Sequence, residues 1–213
     1  MWTGRGQPSR RTNLCILTSD PPTVITNTAG LTGSIKNMVS VVKVVTSDND
    51  RGHMAAAGNH MSDQRFMDDT FLLSNMAPQV GKGFNRDKWE HLERHVRKLV
   101  KVYRNVYCCT GPLYLPRLEA DGKNYVKYQV IGQNNVAVPT HFFKIVVMEN
   151  ETRDLELDAF VLPNEEIPDS TPLDNFRVPP ESVERAAGLL FFDRINRDKL
   201  VKINGVKTSK GWF

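Results

Sequence analysis

Between residues 86 and 103 the large side chains Trp89, Leu92, Val96, Leu99, Val100 and Tyr103 recur at spacings of three and four. That spacing predicts one long amphipathic helix, and it forces whatever else the chain builds to offer a surface for the helix's apolar stripe. The surface has to be a sheet, because the other apolar runs, at 71–76, 106–110, 126–131, 140–148 and 155–162, read as strands. Gly132 followed by Gln133-Asn134-Asn135 reads as a turn, and Pro179-Pro180-Glu181 followed by Val183, Ala186, Ala187 and Leu190 reads as a short helix entered through proline. One long helix among several strands predicts an α+β domain on a central antiparallel sheet. At 213 residues and 40% hydrophobic, the chain can bury such a core. No apolar run reaches the 18 or so residues that a membrane span needs, so none is predicted.

The three cysteines, Cys15, Cys108 and Cys109, form no disulfide framework. Cys108 and Cys109 are adjacent in a predicted strand, so they point to opposite faces and pack as small apolar residues. The helix also carries His91-Leu92-Glu93-Arg94-His95, which superficially resembles a zinc protease helix. In that pattern glutamate directly follows the first histidine. Here it comes one place later, rotated about 100° from where it would be needed.

The chemistry lies in Asp50-Arg51-Gly52-His53, just before the small residues Ala55, Ala56 and Ala57. Histidine titrates near neutrality and suits removal of a proton from water. Arg51 can meet a phosphate with two parallel hydrogen bonds, and Gly52 can bring the backbone close to a ligand or adopt a dihedral closed to other residues. The combination suits phosphodiester hydrolysis. Asn85 follows a loop with two glycines, Gly81 and Gly83, and opens the long helix. Its amide oxygen is a suitable hard ligand for a magnesium ion that keeps most of its waters, and asparagine is equally a helix cap. Glu93, two turns on, could order water at such an ion, or could simply pair with Arg97 on an exposed face.

The sequence has a formal charge of +4 and a pI near 9.0. Basic residues crowd around the helix as Lys82, Arg86, Lys88, Arg94, Arg97, Lys98, Lys101 and Arg104. They form either a polyanion-binding face or an ordinary solvated one. No helix-turn-helix, zinc-finger or RNA-recognition motif is visible, so sequence readout is not indicated.

Several runs beyond the histidine motif carry a family resemblance. They are Phe71-Leu72-Leu73-Ser74-Asn75-Met76-Ala77-Pro78-Gln79, Gly81-Lys82-Gly83-Phe84-Asn85-Arg86-Asp87-Lys88-Trp89, Cys109-Thr110-Gly111-Pro112-Leu113-Tyr114-Leu115-Pro116, Tyr125 to Gly132, and Val136 to Lys144. From Asp50 to about Gly205 the chain resembles the DNA/RNA non-specific endonucleases with a ββα-metal active site, in particular their mitochondrial members. The resemblance implies a ββα-metal motif beside the long active-site helix. It implies His53 as general base, Asn75 as the residue that orients it, Arg51 facing phosphate and Asn85 as ligand of a single Mg2+, for which Mn2+ could substitute. Glu93 and Asp50 would support that shell, and Lys82 and Arg86 would touch nucleic acid. It further implies DNA and RNA as substrates, 5′-phosphate and 3′-hydroxyl products, a homodimer, and a mitochondrial location with release to the nucleus in cell death.

The front of the chain departs from that pattern. Residues 1–47 read as a divergent segment, transit-like or truncated, ahead of an endonuclease domain at 48–213 that lacks strands on its N-terminal side. Residues 1–19 hold Arg5, Arg10 and Arg11 with no acid, a balance that mildly resembles a mitochondrial leader. One strand is expected over 38–45. Two readings follow: a magnesium-dependent endonuclease, or a catalytically impaired homologue that binds nucleic acid or poisons a dimer.

Overall fold

The computed structural model describes residues 13–18 and 49–208. The strands, in chain order, are β1 Asn13–Thr18, β2 Asn49–His53, β3 Met76–Val80, β4 Asn105–Leu113, β5 Arg117–Leu118, β6 Asn124–Tyr125, β7 Val130–Ile131, β8 Val136–Ala137, β9 His141–Glu149, β10 Leu155–Pro163, β11 Leu200–Ile203 and β12 Val206–Lys207. The α-helices are α1 Gln64–Asp69, α2 Glu90–Leu99 and α3 Pro180–Ala187. Six strands form the central sheet, in the order β1-β4-β9-β10-β11-β12. Its pairs are antiparallel except β10 with β11, which run parallel, so the sheet is mixed rather than wholly antiparallel. β2 and β3 form a separate antiparallel hairpin, and with α2 they complete a β-β-α unit.

β9 shows why the sheet is central. Its sequence Phe142-Phe143-Lys144-Ile145-Val146-Val147-Met148 is nearly all apolar because both faces are buried, so the usual polar alternation is lost. Phe143, Ile145 and Val147 pack on one side with Leu157 and Ala159 of β10 and with Val183 and Ala187 of α3. Val146 and Met148 pack on the other side with Val96 of α2, and Phe142 packs there with Phe84, Trp89 and Leu92. Cys108 and Cys109 fall on opposite sides, as their adjacency in a strand requires.

Several boundaries differ from expectation. The run at 71–76 is mostly turn: Phe71 and Leu72 are exposed, and the strand starts at Met76. Of the strand expected over 126–131 only β7, Val130–Ile131, forms, because Val126, Tyr128 and Val130 stay exposed and gain little from pairing. The regular α-helix is shorter than 86–103. It is Glu90–Leu99, preceded by a widened helical stretch, Gly81–Trp89, in which Lys82 and Gly83 leave helical geometry. Gly83 has a φ of 79°, and a Cβ there would lie 2.9 Å from the Glu166 Cα, so only glycine fits. α3 starts with proline as read, but it ends at Gly188 in a left-handed conformation and leaves Leu190 exposed.

At the front, β1 lies antiparallel along β4, from Asn13 opposite Thr110 to Thr18 opposite Asn105. This edge strand was not anticipated. The strand expected over 38–45 lies outside the described residues. Among the described residues no helix is long and apolar enough to cross a membrane.

Phe142 is fully buried, with ring centroids 5.7 Å from both Phe84 and Trp89. Phe142→Ala should therefore cost about 3–5 kcal/mol through lost transfer energy and the cavity left behind. Urea unfolding should show a lower midpoint at unchanged slope, and an unmoved midpoint would contradict this packing.

Candidate active site

The site is built where the β2–β3 hairpin meets the start of the helix. β2 carries Asp50, Arg51, Gly52 and His53 in consecutive positions, and β3 pairs with it from Asn49 opposite Val80 to His53 opposite Met76. Asn164 fastens this hairpin to the end of the central sheet. Its side chain accepts from the Val80 N–H at 2.9 Å and donates to the carbonyls of Pro78 at 3.2 Å and Pro139 at 2.9 Å.

Asp50 joins the strand to the helix. Its Oδ2 accepts from Asn85 Nδ2 at 2.9 Å and from Arg86 Nε at 2.8 Å, while Oδ1 accepts from Arg86 Nη2 at 2.6 Å. The Arg86 hydrogen bond first of all, helped by Asn85, holds the Asp50 carboxyl below its ordinary range, so it stays anionic. Because the Asn85 nitrogen is committed to Asp50, the amide plane is fixed and Oδ1 is left as the outward acceptor. Asn85 is not the helix cap: Asp87 Oδ2 takes the Gly83 N–H instead, at 2.6 Å. A neutral, pre-oriented oxygen backed by an anion fits a hydrated divalent cation.

His53 is half-buried, with its ring edge-on to Phe71 at 4.7 Å. Its Nε2 is buried and has no hydrogen-bond partner among the described residues. Burial, and secondly the charge of Arg51, push the imidazole below its usual pKa, so it is neutral and basic near pH 7. Arg51 is exposed and makes no ion pair with any described carboxylate, which leaves its guanidinium available beside His53.

Asn75 is 4% exposed and acts on the backbone. Its Oδ1 accepts from Ala55 N at 2.9 Å, and its Nδ2 donates to Ala55 O at 2.9 Å and Thr70 O at 2.8 Å. Its own carbonyl takes the Met54 N–H at 2.9 Å. The chain leaving His53 is thus held by Asn75 at Met54 and Ala55.

Glu93 is deeply buried, and burial raises its pKa, opposed chiefly by Lys144 and then Arg97. Lys144 itself is 3% exposed on β9; it donates to Thr110 Oγ1 at 2.8 Å and lies 4.7 Å from the Trp89 ring centre. Sequence reading missed Lys144, although a lysine inside the apolar run of β9 was a signal that something anionic or aromatic faces it. Glu93 and Arg97 do approach, at 4.0 Å, but Arg97 sits closer to Glu90, at 3.2 Å.

The expected basic face is largely neutralised. Lys88 is buried, and its ammonium donates to the carbonyls of Asp169 at 2.9 Å and Thr171 at 2.8 Å, fastening the loop behind the helix. Arg94 pairs with Glu90, Arg86 with Asp50, and Lys82 approaches Glu166 at 3.9 Å. The histidines of the zinc-like pattern diverge: His91 lies 3.6 Å from Asp169, whereas His95 faces the Phe160 ring.

The hairpin and helix that frame His53 and Asn85 have the arrangement of a ββα-metal fold. The chain belongs to the DNA/RNA non-specific endonuclease family, whose model matches residues 24–198. It is 57% identical over 158 residues to the mitochondrial endonuclease G of Caenorhabditis elegans, covering 74% of this chain and 51% of that protein. Against human mitochondrial endonuclease G the identity is 58% over 146 residues, covering 68% and 49%. The mitochondrial nuclease of Saccharomyces cerevisiae is 49% identical over 160 residues, covering 72% and 49%. A solved structure of an EndoG/EndoGI complex superposes with a TM-score of 0.83 at 51% identity, covering 93% of this chain and 84% of that one. The chain spans about half the length of the curated relatives it matches.

NMR titration of the metal-free protein should place the His53 pKa below the free value of about 6.5. Arg51→Ala should raise it only part of the way, because burial is the larger cause. The neutral form favours folding, so its contribution is complete above about pH 6.5 and is lost as pH falls through the lower folded-state value. A value above 6.5 in the wild type would contradict the buried geometry.

Proposed function

We propose that this chain is an endonuclease that hydrolyses phosphodiester bonds in DNA and RNA without reading sequence, with His53 as general base. The observation that carries the proposal is the buried Nε2 of His53, without a hydrogen-bond partner among the described residues, beside Arg51 on a hairpin whose Asp50 holds Asn85. His53 takes a proton from water, and the resulting hydroxide attacks phosphorus. The scissile bond to the 3′-oxygen breaks, and the leaving oxygen takes a proton from a second water, giving 5′-phosphate and 3′-hydroxyl ends. Arg51 meets a phosphoryl oxygen, and Lys82 and Arg86 lie along the strand's path. Mg2+, with Mn2+ as a substitute, held by Asn85 Oδ1 would supply positive charge for the phosphoryl and leaving oxygens. Asp50 keeps Asn85 aimed, Asn75 holds the backbone after His53, and Glu93, two turns along the helix from Asn85, would order water. The mitochondrial names of the relatives support a mitochondrial setting; action on nuclear DNA in cell death and assembly as a homodimer belong to the same proposal.

Nicking of supercoiled plasmid in magnesium, with and without chelator, tests this. Cleavage should be chelator-sensitive, and His53→Ala and Asn85→Ala should each lose on the order of 10²-fold or more. A folded protein that binds DNA without cutting it would sink the enzymatic reading in favour of an impaired, nucleic-acid-binding homologue.

A further inference from the structure

Gly52 sits between the two residues that the proposed chemistry uses, Arg51 and His53, and its backbone conformation does not require glycine. It is absent from the positive-φ positions, which include Gly83, Gly122, Gly132, Gly188 and Gly205. The sequence expectation of a dihedral closed to other residues is therefore not met. What glycine provides is space, and that space is already filled. A Cβ on Gly52 would lie 2.0 Å from Gln79 Cδ, 2.0 Å from Oε1 and 2.4 Å from Cγ.

Gln79 cannot step aside, because it is completely buried. It lies on β3 directly opposite Asp50, in the strand pair that sets His53 against Met76. Its two amide atoms have no hydrogen-bond partner among the described residues, so hydrogen bonding does not explain the residue. Its volume does. The flat amide lies across the one place on β2 with no side chain, and it packs the space under the backbone that carries Arg51 and His53.

We infer that Gln79 is a positioning residue of the site, and that Gly52 exists to admit the Gln79 side chain rather than to let the backbone approach substrate. This rests on the nuclease reading above. Loss of Gln79 volume would leave the Arg51–His53 strand unsupported, and a misplacement of this kind slows the chemical step more than it weakens binding.

The test is a set of four variants assayed for plasmid nicking, steady-state kinetics on an oligonucleotide, and thermal unfolding without metal. Gln79→Ala should lower kcat by about 10-fold or more with KM within about twofold, as expected when alignment rather than binding is lost. Gln79→Met keeps the length and bulk and should cut at close to the wild-type rate. Gly52→Ala should be nearly inactive and should unfold at lower temperature. The double variant Gly52→Ala with Gln79→Ala should recover at least about 10-fold in rate over Gly52→Ala, and a few °C in Tm, because contacting residues couple.

A double variant no better than Gly52→Ala in both rate and Tm would overturn the inference, and would mean that glycine is needed for approach of substrate. A Gln79→Met variant as slow as Gln79→Ala would overturn it in favour of a polar role for the amide. If the wild type does not cut at all, the nuclease reading fails, yet the Tm coupling between the two positions still tests their packing.

Discussion

The Asp50 carboxylate is the point on which the site depends. Two oxygens accept three hydrogen bonds from Asn85 and Arg86, joining an otherwise separate two-stranded hairpin to the helical segment beside it. The clamp acts on geometry rather than on bulk stability, since Arg86 is largely solvent-exposed and exposed ion pairs contribute little. With the Asn85 nitrogen committed, its oxygen has one direction left to face. His53, three residues beyond Asp50, is placed by the same strand, so the histidine and the asparagine share one support.

Behind this sits a core sealed on both faces of the central sheet. Phe84, Trp89 and Leu92 bury the helical segment against Phe142, Phe160 and Leu162, so the helix that carries Glu93 cannot shift without opening the core. Lys88, Asn164 and Asn75 use their polar atoms on backbone carbonyls and amides, the usual way to fix irregular segments that lack a strand partner. Lys144 is the exception on the sheet, a buried cation that meets Thr110, the Trp89 ring and the field of Glu93.

Much of this was legible in the residues. The helical spacing from Trp89 to Val96 located the helix core, the run at 140–148 located the central strand, and the four residues from Asp50 to His53 located the strand that pairs with β3 and meets Asn85. Boundaries were less legible, because a run such as Phe71 to Met76 has strand composition but no partner that would bury it. Whether the basic residues form one face could not be read by counting charge along the chain. Lys88 is indistinguishable in sequence from an exposed cation yet is buried on two carbonyls, and Arg86, though exposed, is paired with a residue 36 positions away.

Sequence alone determined the periodicities and the residue types suited to proton transfer and cation binding, because these depend on local spacing and on side-chain chemistry. Tertiary structure decided which groups those residues face. It turned Asn85 from a cap into an oriented amide, Asn75 into a backbone brace, and Gly52 into the seat of Gln79. Each of those outcomes depends on contacts between segments distant in the chain, and local periodicity carries no information about which distant segment will arrive.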